Sequence, residues 1–367
     1  MIGRKALVAV AVQALLAVTA CGGSSAQELK LGNQSFPAKT FANLSGQVVW
    51  WDNAGGPTIK AYQDTIFANF TKLTGVNVVP DFYCCDLAKL QAQIQSGNVV
   101  WDALAVPSAT YFFQGSSQGL FQKLDRSIVP LDKLEPGTYT DYGFKGTSYQ
   151  AVIVWNTNSF PLSGKHPTQL QDIYDTANFP GRRCLIKLPD IAGNFEAALL
   201  ADGVSRTSLY PLDINRAFRK MDTIKSSIVW STGGQAIVQN LINGECTIGI
   251  TWSGRAYDAA VNGRAPIGAA LGNAVIYSGW RAIAKGAPNA RNAQALLAMW
   301  ILDQEGQINR VNKDLSPCPI KGLTPDKYAP AVRPYLPDFS SGIQANEEYY
   351  ANNIDSIRSQ FNSWVAR

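Results

Sequence analysis

A nucleophilic serine and a single histidine are the residues that would have to support hydrolytic chemistry in this chain. Gly115-Ser-Ser-Gln-Gly119 fits the G-x-S-x-G nucleophile pattern, with Ser117 at its centre. That pattern requires a sharp turn between a strand and a helix, whereas here it follows a helix-to-loop passage. The one histidine, His166, lies in a predicted loop. We therefore interpret Ser117 as part of a glycine-rich turn and predict no catalytic residues, with a Ser–His hydrolase as the rival class.

The residue types that would form a metal site are also few. A single histidine excludes a His-ligated cluster, and the cysteines lack the paired spacings of a zinc site. An iron site would need several convergent tyrosines, and Tyr349-Tyr350 lies on a predicted helix with Tyr350 on its apolar stripe. We predict that these tyrosines pack in the core, and that the protein holds no metal and no cofactor.

Four aromatic residues each directly follow a β-prone run, where a side chain can point into a crevice: Trp51, Tyr111, Trp252 and Tyr277. A box of such rings suits an alkyl chain or a cation, through apolar contact and cation–π attraction. Core packing is the alternative for each ring alone, and it is less convincing for all four together. Arg255 follows Trp252 in a helix-like stretch, where ligand contact and an exposed salt bridge are both open.

The elements that must position these residues alternate between strands and helices. Apolar residues at helical spacing, such as Ile59, Tyr62 and Ile66, separate short apolar runs that are rich in β-branched residues. Alternation at this spacing predicts an α/β fold with parallel sheets built from right-handed βαβ units. A last helix carries a narrow apolar stripe, which predicts a docking face against the body. The predicted strands are 47–51, 76–79, 101–106, 150–156, 184–188 and 247–252, and the stripe is Tyr350, Ile354, Ile357, Phe361 and Trp364.

Length and composition predict two folded units of ordinary size. The chain has 367 residues, which is too long for one compact core. Only 16% of its residues are charged, below the roughly 25% of an average soluble protein, so long disordered stretches are not expected. The formal net charge of +5, with no run of Lys or Arg, gives no reason to expect a nucleic-acid partner.

The N-terminus predicts export. Arg4 and Lys5 precede an apolar segment that is too short to span a bilayer as a mature helix. The segment ends Val18-Thr-Ala-Cys21, which resembles a bacterial lipobox, in which the cysteine is acylated and becomes the new N-terminus. We predict a signal peptide at 1–20 and a lipid-anchored tether at 21–45. Cleavage near Ala20 of a plain signal peptide is the alternative.

Five further cysteines would then lie in an oxidising compartment, which favours disulfides. Cys184 and Cys246 each open an apparent strand, so we predict a bridge between them across one sheet edge. Cys318 would pair with Cys84 or Cys85, which leaves one thiol free.

Six segments, taken in this order, carry a family resemblance. The chain resembles the extracellular solute-binding proteins of ABC importers, in the group typified by spermidine/putrescine-binding proteins. The resemblance runs from about Gly46 to Trp364. It is specific for the superfamily and weak for the ligand. The segments are FANFTKLTGVNVV (67–79), WDALAVPSATY (101–111), GLFQKLD (119–125), YQAVIVWNTNSF (149–160), LINGECTIGITWSGRAYDA (241–259) and RAIAKGAPNARNAQALLAMWIL (281–302).

The resemblance implies the two-lobed type II periplasmic-binding-protein fold, in which each lobe is a mostly parallel sheet flanked by helices. Lobe 1 would comprise 46–152 plus 280–318, and lobe 2 would comprise 153–279 plus 319–367. The lobes would be hinged by crossing strands at 150–156 and 277–284, the second of which contains Arg281 with either orientation open. Ligands of open parallel sheets bind at the carboxyl ends of strands. The binding residues implied there are Trp51, Asp52, Asn53, Ser108, Thr110, Tyr111, Asp190, Trp252, Arg255 and Tyr277.

Departures from the family pattern argue against a diamine. Relatives that bind polyamines hold ammonium groups with carboxylates in the loop after the 184–188 strand and in a crossing strand. Here Asp190 is present, but Gly193 and Gly279 stand where two further acids are expected. A buried ammonium without a counter-charge costs several kcal/mol. Arg255, where the family commonly has a small or acidic residue, inverts the local charge.

We therefore predict a small organic anion as the ligand, held by Arg255 with help from hydroxyl and backbone donors. A zwitterion stays open, because Asp52 and Asp190 could meet an amine while Arg255 meets a carboxylate. Polyamine binding is the alternative. The resemblance implies binding without chemistry, with delivery to an ABC permease and its ATPase. It also implies a place on the outer face of the cytoplasmic membrane, or in the periplasm if Cys21 is not acylated.

Overall fold

The first described residues form a hairpin that is packed on the body of the protein. The computed structural model describes residues 27–83 and 86–367. Strands β1 (Glu28–Leu31) and β2 (Gln34–Pro37) pair antiparallel and lead into helix α1 (Ala38–Phe41). Leu31, Phe36 and Phe41 are buried in the same core as β3 and β5, described next. Residues 28–41, which were predicted to be tether, are therefore folded, because three apolar side chains anchor them.

The first lobe is a parallel sheet with helices against it. Gly75, in the left-handed conformation (φ 78°), ends α3 as its cap, which is the role that favours glycine. A π-helical turn (Gln63–Phe67) joins α2 to α3, so the single helix predicted there is continuous. The strands are β3 (Gln47–Asp52), β4 (Asn77–Phe82) and β5 (Ala103–Val106), and the helices are α2 (Gly56–Tyr62), α3 (Ala68–Thr74), α4 (Ala88–Ser96) and α5 (Ala109–Ser117).

Two long antiparallel strands, β6 (Gly143–Asn156) and β10 (Ile267–Ile283), run through both lobes. The carboxyl half of β10 pairs with β5 in lobe 1, and the carboxyl half of β6 pairs with the lobe 2 strand β9 (Ile248–Trp252). The predicted crossings at 150–156 and 277–284 are thus only one half of each strand. The other half of β6 contains Gly143, Gly146 and Ser148, which obscure its strand pattern in the sequence.

The second lobe repeats the arrangement. Strand β7 pairs parallel with both β8 and β9, and the whole sheet has the order β4-β3-β5-β10-β6-β9-β7-β8. Strand β8 was not among the predicted strands. The remaining elements of this lobe are β7 (Arg183–Ile186), β8 (Ile228–Ser231), α6 (Asn194–Ala201), α7 (Ile214–Asp222), α8 (Gly234–Ile242) and α9 (Ser253–Tyr257).

The chain then returns to lobe 1 and ends on lobe 2. Helix α10 (Ala290–Leu302) packs on the first sheet, and α11 (Gln304–Asp314) packs against α2. The short strand β11 (Ile343–Gln344) pairs parallel with β10. The last helix, α12 (Glu347–Ala366), buries all five residues of the predicted apolar stripe. Four of them lie in the lobe 2 core, so the prediction of a docking face is confirmed.

Among the cysteines in the described residues, two form a disulfide and one is a buried free thiol. Cys184 and Cys246 form the predicted disulfide between β7 and the segment before β9. The predicted pairing of Cys318 is wrong, because Cys318 is a free thiol buried in the lobe 1 core, where it contacts the carbonyl oxygen of Lys145. Cys84, Cys85 and the predicted lipidation site Cys21 lie outside the described residues.

Two α/β lobes with mostly parallel sheets, joined by crossing strands, are the architecture that was predicted. Among residues 27–83 and 86–367, no helix has the length and apolar character needed to cross a membrane.

Candidate functional site

A cavity of about 510 Å³ lies between the lobes, at the carboxyl ends of the parallel strands. Its size is in the range of small-molecule sites. The lobes touch around it: a Cβ on Gly254 of lobe 2 would lie 3.0 Å from the carbonyl oxygen of Asp314 in lobe 1. Lobe 1 contributes Asn53, Ala54, Pro57, Thr58, Tyr62, Phe82, Val106, Pro107, Thr147, Tyr149, Gly279, Arg281, Lys313, Asp314, Leu315 and Ser316, and lobe 2 contributes Leu188, Ile191, 232–236, Trp252, Ser253, Gly254, Arg255 and Asp258.

The lobe 2 wall carries Arg255, as predicted. Its guanidinium donates across the cavity to the carbonyl oxygen of Ala54 in lobe 1, at 3.4 Å. Burial lowers the pKa of Arg255, which Asp258 partly offsets, but arginine still stays protonated. In the described part of the chain, no carboxylate lies within 4.0 Å of this guanidinium. Arg255 therefore presents to the cavity a cation that has no salt-bridge partner within the described residues.

A second arginine lies at the lobe 1 side of the cavity. The guanidinium of Arg281, which is 1% exposed, lies 4.3 Å from the ring centroid of Trp300 and donates to the hydroxyl of Tyr62 at 3.1 Å. Its Nε has no hydrogen-bond partner within the described residues. Burial lowers the pKa of Arg281. Sequence reasoning left its orientation open, and the structure shows that it is directed inward, beneath the cavity.

Buried charges of both signs lie near Arg281. Arg310 pairs with Asp314 at 2.6 Å, and both side chains are fully buried. Burial raises the pKa of the Asp314 carboxyl, which the two neighbouring arginines oppose. The buried carboxylate of Asp52 is also close enough to Arg281 for their charges to interact. The carboxylates of Asp314 and Asp52 therefore lie near the guanidinium groups of Arg281 and Arg310.

The loop after β3 is shaped by Asp52. Its carboxylate accepts hydrogen bonds from the backbone N–H groups of Gly55 (2.8 Å) and Ala54 (3.3 Å). Burial raises its pKa, which those two bonds oppose. Asp52 does not line the cavity, but it holds the loop that places Asn53 there; the Asn53 amide in turn donates to the carbonyl oxygen of Ala105.

Three of the predicted residues lie in the body of lobe 1. Trp51 is fully buried, stacked on Trp101 with ring centroids 5.1 Å apart, and donates to the carbonyl oxygen of Tyr83. Ser108 and Thr110 are each 1% exposed at the start of α5 and do not line the cavity. The residues that do line it after β5 are Val106 and Pro107. The α5 helix begins one residue after Ser108, which turns these side chains away.

Tyr111 and Asp190 meet a residue that sequence reasoning missed. The Asp190 carboxylate, inaccessible to solvent, lies 3.5 Å from the guanidinium of Arg358 in α12. That guanidinium also lies 4.8 Å from the ring centroid of Tyr111. Burial raises the pKa of Asp190, which Arg358 opposes. These three residues form an inter-lobe contact, outside the residues that line the cavity.

The aromatic box differs from the predicted one. Of the four predicted rings only Trp252 lines the cavity, where Tyr62, Phe82 and Tyr149 join it. Tyr277 stacks behind Tyr149, its direct neighbour in the register of β10 and β6, and accepts a hydrogen bond from the N–H of Gly193. Cross-strand pairing, which the sequence did not reveal, decides which of the two tyrosines faces the cavity.

Ser117 and His166, the two residues of the alternative hydrolase hypothesis, lie in different lobes. Ser117 is exposed at the end of α5 in lobe 1, and its hydroxyl donates to the carbonyl oxygen of Gln114. His166 belongs to lobe 2, where its ring stacks on Trp155. Over the described ranges, no cluster of three or more His, Cys, Asp or Glu side chains is arranged to hold a metal.

Two α/β lobes closing on a solute-sized cavity define a solute-binding protein. A family model described as bacterial extracellular solute-binding protein matches residues 65–327. The chain is 31% identical to the structure of the Atu4243 GABA receptor, with a TM-score of 0.78, over 88% of this chain and 98% of that one.

Two curated relatives are also solute-binding proteins. A gamma-aminobutyric acid-binding protein of Pseudomonas aeruginosa is 27% identical over 85% of this chain and 89% of its own length. The spermidine/putrescine-binding periplasmic protein of Escherichia coli is 21% identical over 53% of this chain and 56% of its own length. The chain belongs to the bacterial extracellular solute-binding protein family. It is a solute-binding protein of an ABC importer with the type II periplasmic-binding fold, and not an enzyme.

Proposed function

We propose that this protein binds a small carboxylate-bearing solute, the chemical class that includes GABA. The observation that carries the proposal is Arg255, a half-buried cation that lines the cavity and lacks a carboxylate partner within the described residues. A carboxylate that accepts bonds from a guanidinium in a site of low polarity is a strong, geometrically selective contact. Arg281, a second arginine that lines the cavity and whose Nε has no hydrogen-bond partner within the described residues, supports the same sign of ligand.

The acids available to a diamine are few. Of the two that line the cavity, Asp314 is paired with Arg310, and Asp258 accepts a hydrogen bond from Asn262. Gly279 lines the cavity, and a Cβ there would lie 2.5 Å from the hydroxyl of Thr147. Among the described acids that line the cavity, Asp258 alone is in no salt bridge, so a diamine would find a carboxylate for one of its ammonium groups only. The polyamine-binding relatives keep that class in the test.

Location and partners follow from the family and the N-terminal sequence. The family is one of exported proteins that work with an ABC permease. We propose further that Cys21 is acylated and holds the protein at the outer face of the cytoplasmic membrane. The lipobox-like Val18-Thr-Ala-Cys21 supports this step.

The test is calorimetric titration with GABA, butanoate, glutarate and putrescine, on wild type, Arg255→Met and Lys313→Met. Lys313 is the matched control, because it also lines the cavity but is paired with Asp64 at 3.1 Å. We expect at least one carboxylate to bind, with a loss of about 2 kcal/mol or more in Arg255→Met, which is about thirtyfold in Kd, and little loss in Lys313→Met. Binding of putrescine alone would overturn the proposal.

A further inference from the structure

The first turn of α8 faces the cavity. Residues 232–236, which include the cap Gly233 and the first three residues of the helix, all line it. No side chain caps this helix start. The first N–H groups of a helix have no acceptor within the helix, and together they favour an anion. The helix has nine residues, so its first turn is that of a regular helix.

An independent observation lies directly beside it. Ser253, which is 1% exposed, lines the cavity, and its hydroxyl has no hydrogen-bond partner among the described residues. A buried hydroxyl without a partner is costly, and because Ser253 lines the cavity, a bound solute can supply the missing partner. Because Ser253 is two residues before Arg255, the hydroxyl and the guanidinium extend from the same short helix, α9.

The two features are held close together by packing. The Thr251 hydroxyl, at the end of β9, donates to the carbonyl oxygen of Gly234 at 3.1 Å. A Cβ on Gly234 would lie 2.7 Å from that hydroxyl and 2.8 Å from the ring of Trp252. The absence of a side chain at Gly234 therefore lets the start of α8 approach the strand end from which Ser253 and Arg255 follow.

We propose that the N-terminus of α8, the Ser253 hydroxyl and the Arg255 guanidinium form one subsite for the solute's carboxylate, all on lobe 2. This inference rests on the proposed function and adds where the carboxylate binds. The subsite supplies a cation on one side and neutral donors on the other, which suits the two oxygens of a carboxylate. Lobe 2 then captures the anionic end, and lobe 1 closes over the remainder of the solute.

The decisive comparison is Ser253→Ala with Ser108→Ala. Both serines are 1% exposed and both hydroxyls lack a partner within the described residues, but only Ser253 lines the cavity. The titrations use the carboxylate that binds wild type most tightly among GABA, butanoate and glutarate. We expect Ser253→Ala to bind it about tenfold more weakly and Ser108→Ala to bind as wild type. Neither variant should lower the unfolding midpoint without solute, because neither breaks a hydrogen bond.

The backbone donors are tested at Gln235, whose side chain is exposed. Gln235→Pro removes one N–H from the first turn, where helices tolerate proline, and Gln235→Ala removes the side chain but keeps the N–H. We expect carboxylate binding to be weaker in the proline variant than in the alanine variant, with circular dichroism and the unfolding midpoint showing whether the proline variant folds. If it does not fold, Ser253→Ala alone decides.

The outcomes separate the two proposals. If a carboxylate binds wild type and Arg255→Met loses it, but Ser253→Ala matches Ser108→Ala, the subsite is overturned and the proposed function stands. If no carboxylate binds wild type, both are overturned. Weaker binding in Ser253→Ala, with an unchanged midpoint without solute, supports the subsite.

Discussion

The guanidinium of Arg358, in the last helix of lobe 2, lies 4.8 Å from the ring centroid of Tyr111, in the first turn of α5 in lobe 1. The same guanidinium lies 3.5 Å from the Asp190 carboxylate. Asp190 and Arg358 belong to one lobe and Tyr111 to the other, so this cation–π contact joins the two lobes outside the cavity. We predict that it contributes to the free energy of closure.

Replacing Tyr111 tests this role. We expect Tyr111→Leu to weaken the binding of every solute by the same factor, about two- to fivefold, because it lowers the closed population and leaves the cavity intact. Tyr111→Phe keeps the ring and should bind as wild type. Titration with two unlike solutes is the measurement. A change in the ranking of the solutes would instead mean that Tyr111 contacts the ligand, as the sequence predicted.

Asp314 is the buried acid that pairs with the buried Arg310. Asp314→Asn leaves Arg310 without its carboxylate, so we expect a loss of about 3–5 kcal/mol in the free energy of unfolding, measured in urea. The matched control is Asp64→Asn, since Asp64 is a solvent-accessible acid paired with Lys60 and Lys313, and its loss should be much smaller. Equal losses in the two variants would contradict a special role for the buried pair.

Glu196, which is buried in α6, should make the free energy of unfolding depend on pH. Its Oε1 accepts hydrogen bonds from the hydroxyls of Tyr210 (2.6 Å) and Tyr350 (2.8 Å), but burial raises its pKa above the ordinary 4.5. An acid with a raised folded pKa stabilises the fold fully below its unfolded pKa, and that stability is lost as the pH rises through the folded pKa.

Glu196→Gln lacks this titration. We therefore expect the stability of the variant relative to wild type to increase between pH 4 and pH 8, by about 1.4 kcal/mol for each unit by which the pKa is raised. Urea unfolding across that pH range is the measurement. A relative stability that falls with rising pH would show that the pKa of Glu196 is lowered.

The disulfide between Cys184 and Cys246 closes a separation of 62 residues. The chain-entropy model gives about 4 kcal/mol for a loop of that length. We expect the double substitution Cys184→Ala, Cys246→Ala to lower the free energy of unfolding by about that amount. A reductant that acts on the unfolded chain should lower the stability of wild type similarly and leave the double variant unchanged. If the reductant lowered the stability of wild type and the double variant equally, the loss would not come from this disulfide.

The sequence by itself determined the architecture and much of the charge in the cavity. When strands and helices alternate along a chain, the strands form a parallel sheet whose two faces are buried under the helices. The α/β lobes could therefore be predicted from the pattern alone. Arg255 was found because it directly follows a strand, at the edge where ligands bind. The disulfide followed from two cysteines at comparable places on two predicted strands.

Only the tertiary structure decided which side chains face the solute. Trp51 and Tyr277 follow β-runs just as Trp252 does, yet one stacks on Trp101 and the other behind Tyr149. The rotation of a side chain at a strand end depends on the register with its neighbours, which local sequence does not encode. The start of α8 was missed because strand β8 has only four residues, and its closeness to Ser253 depends on long-range packing at Gly234.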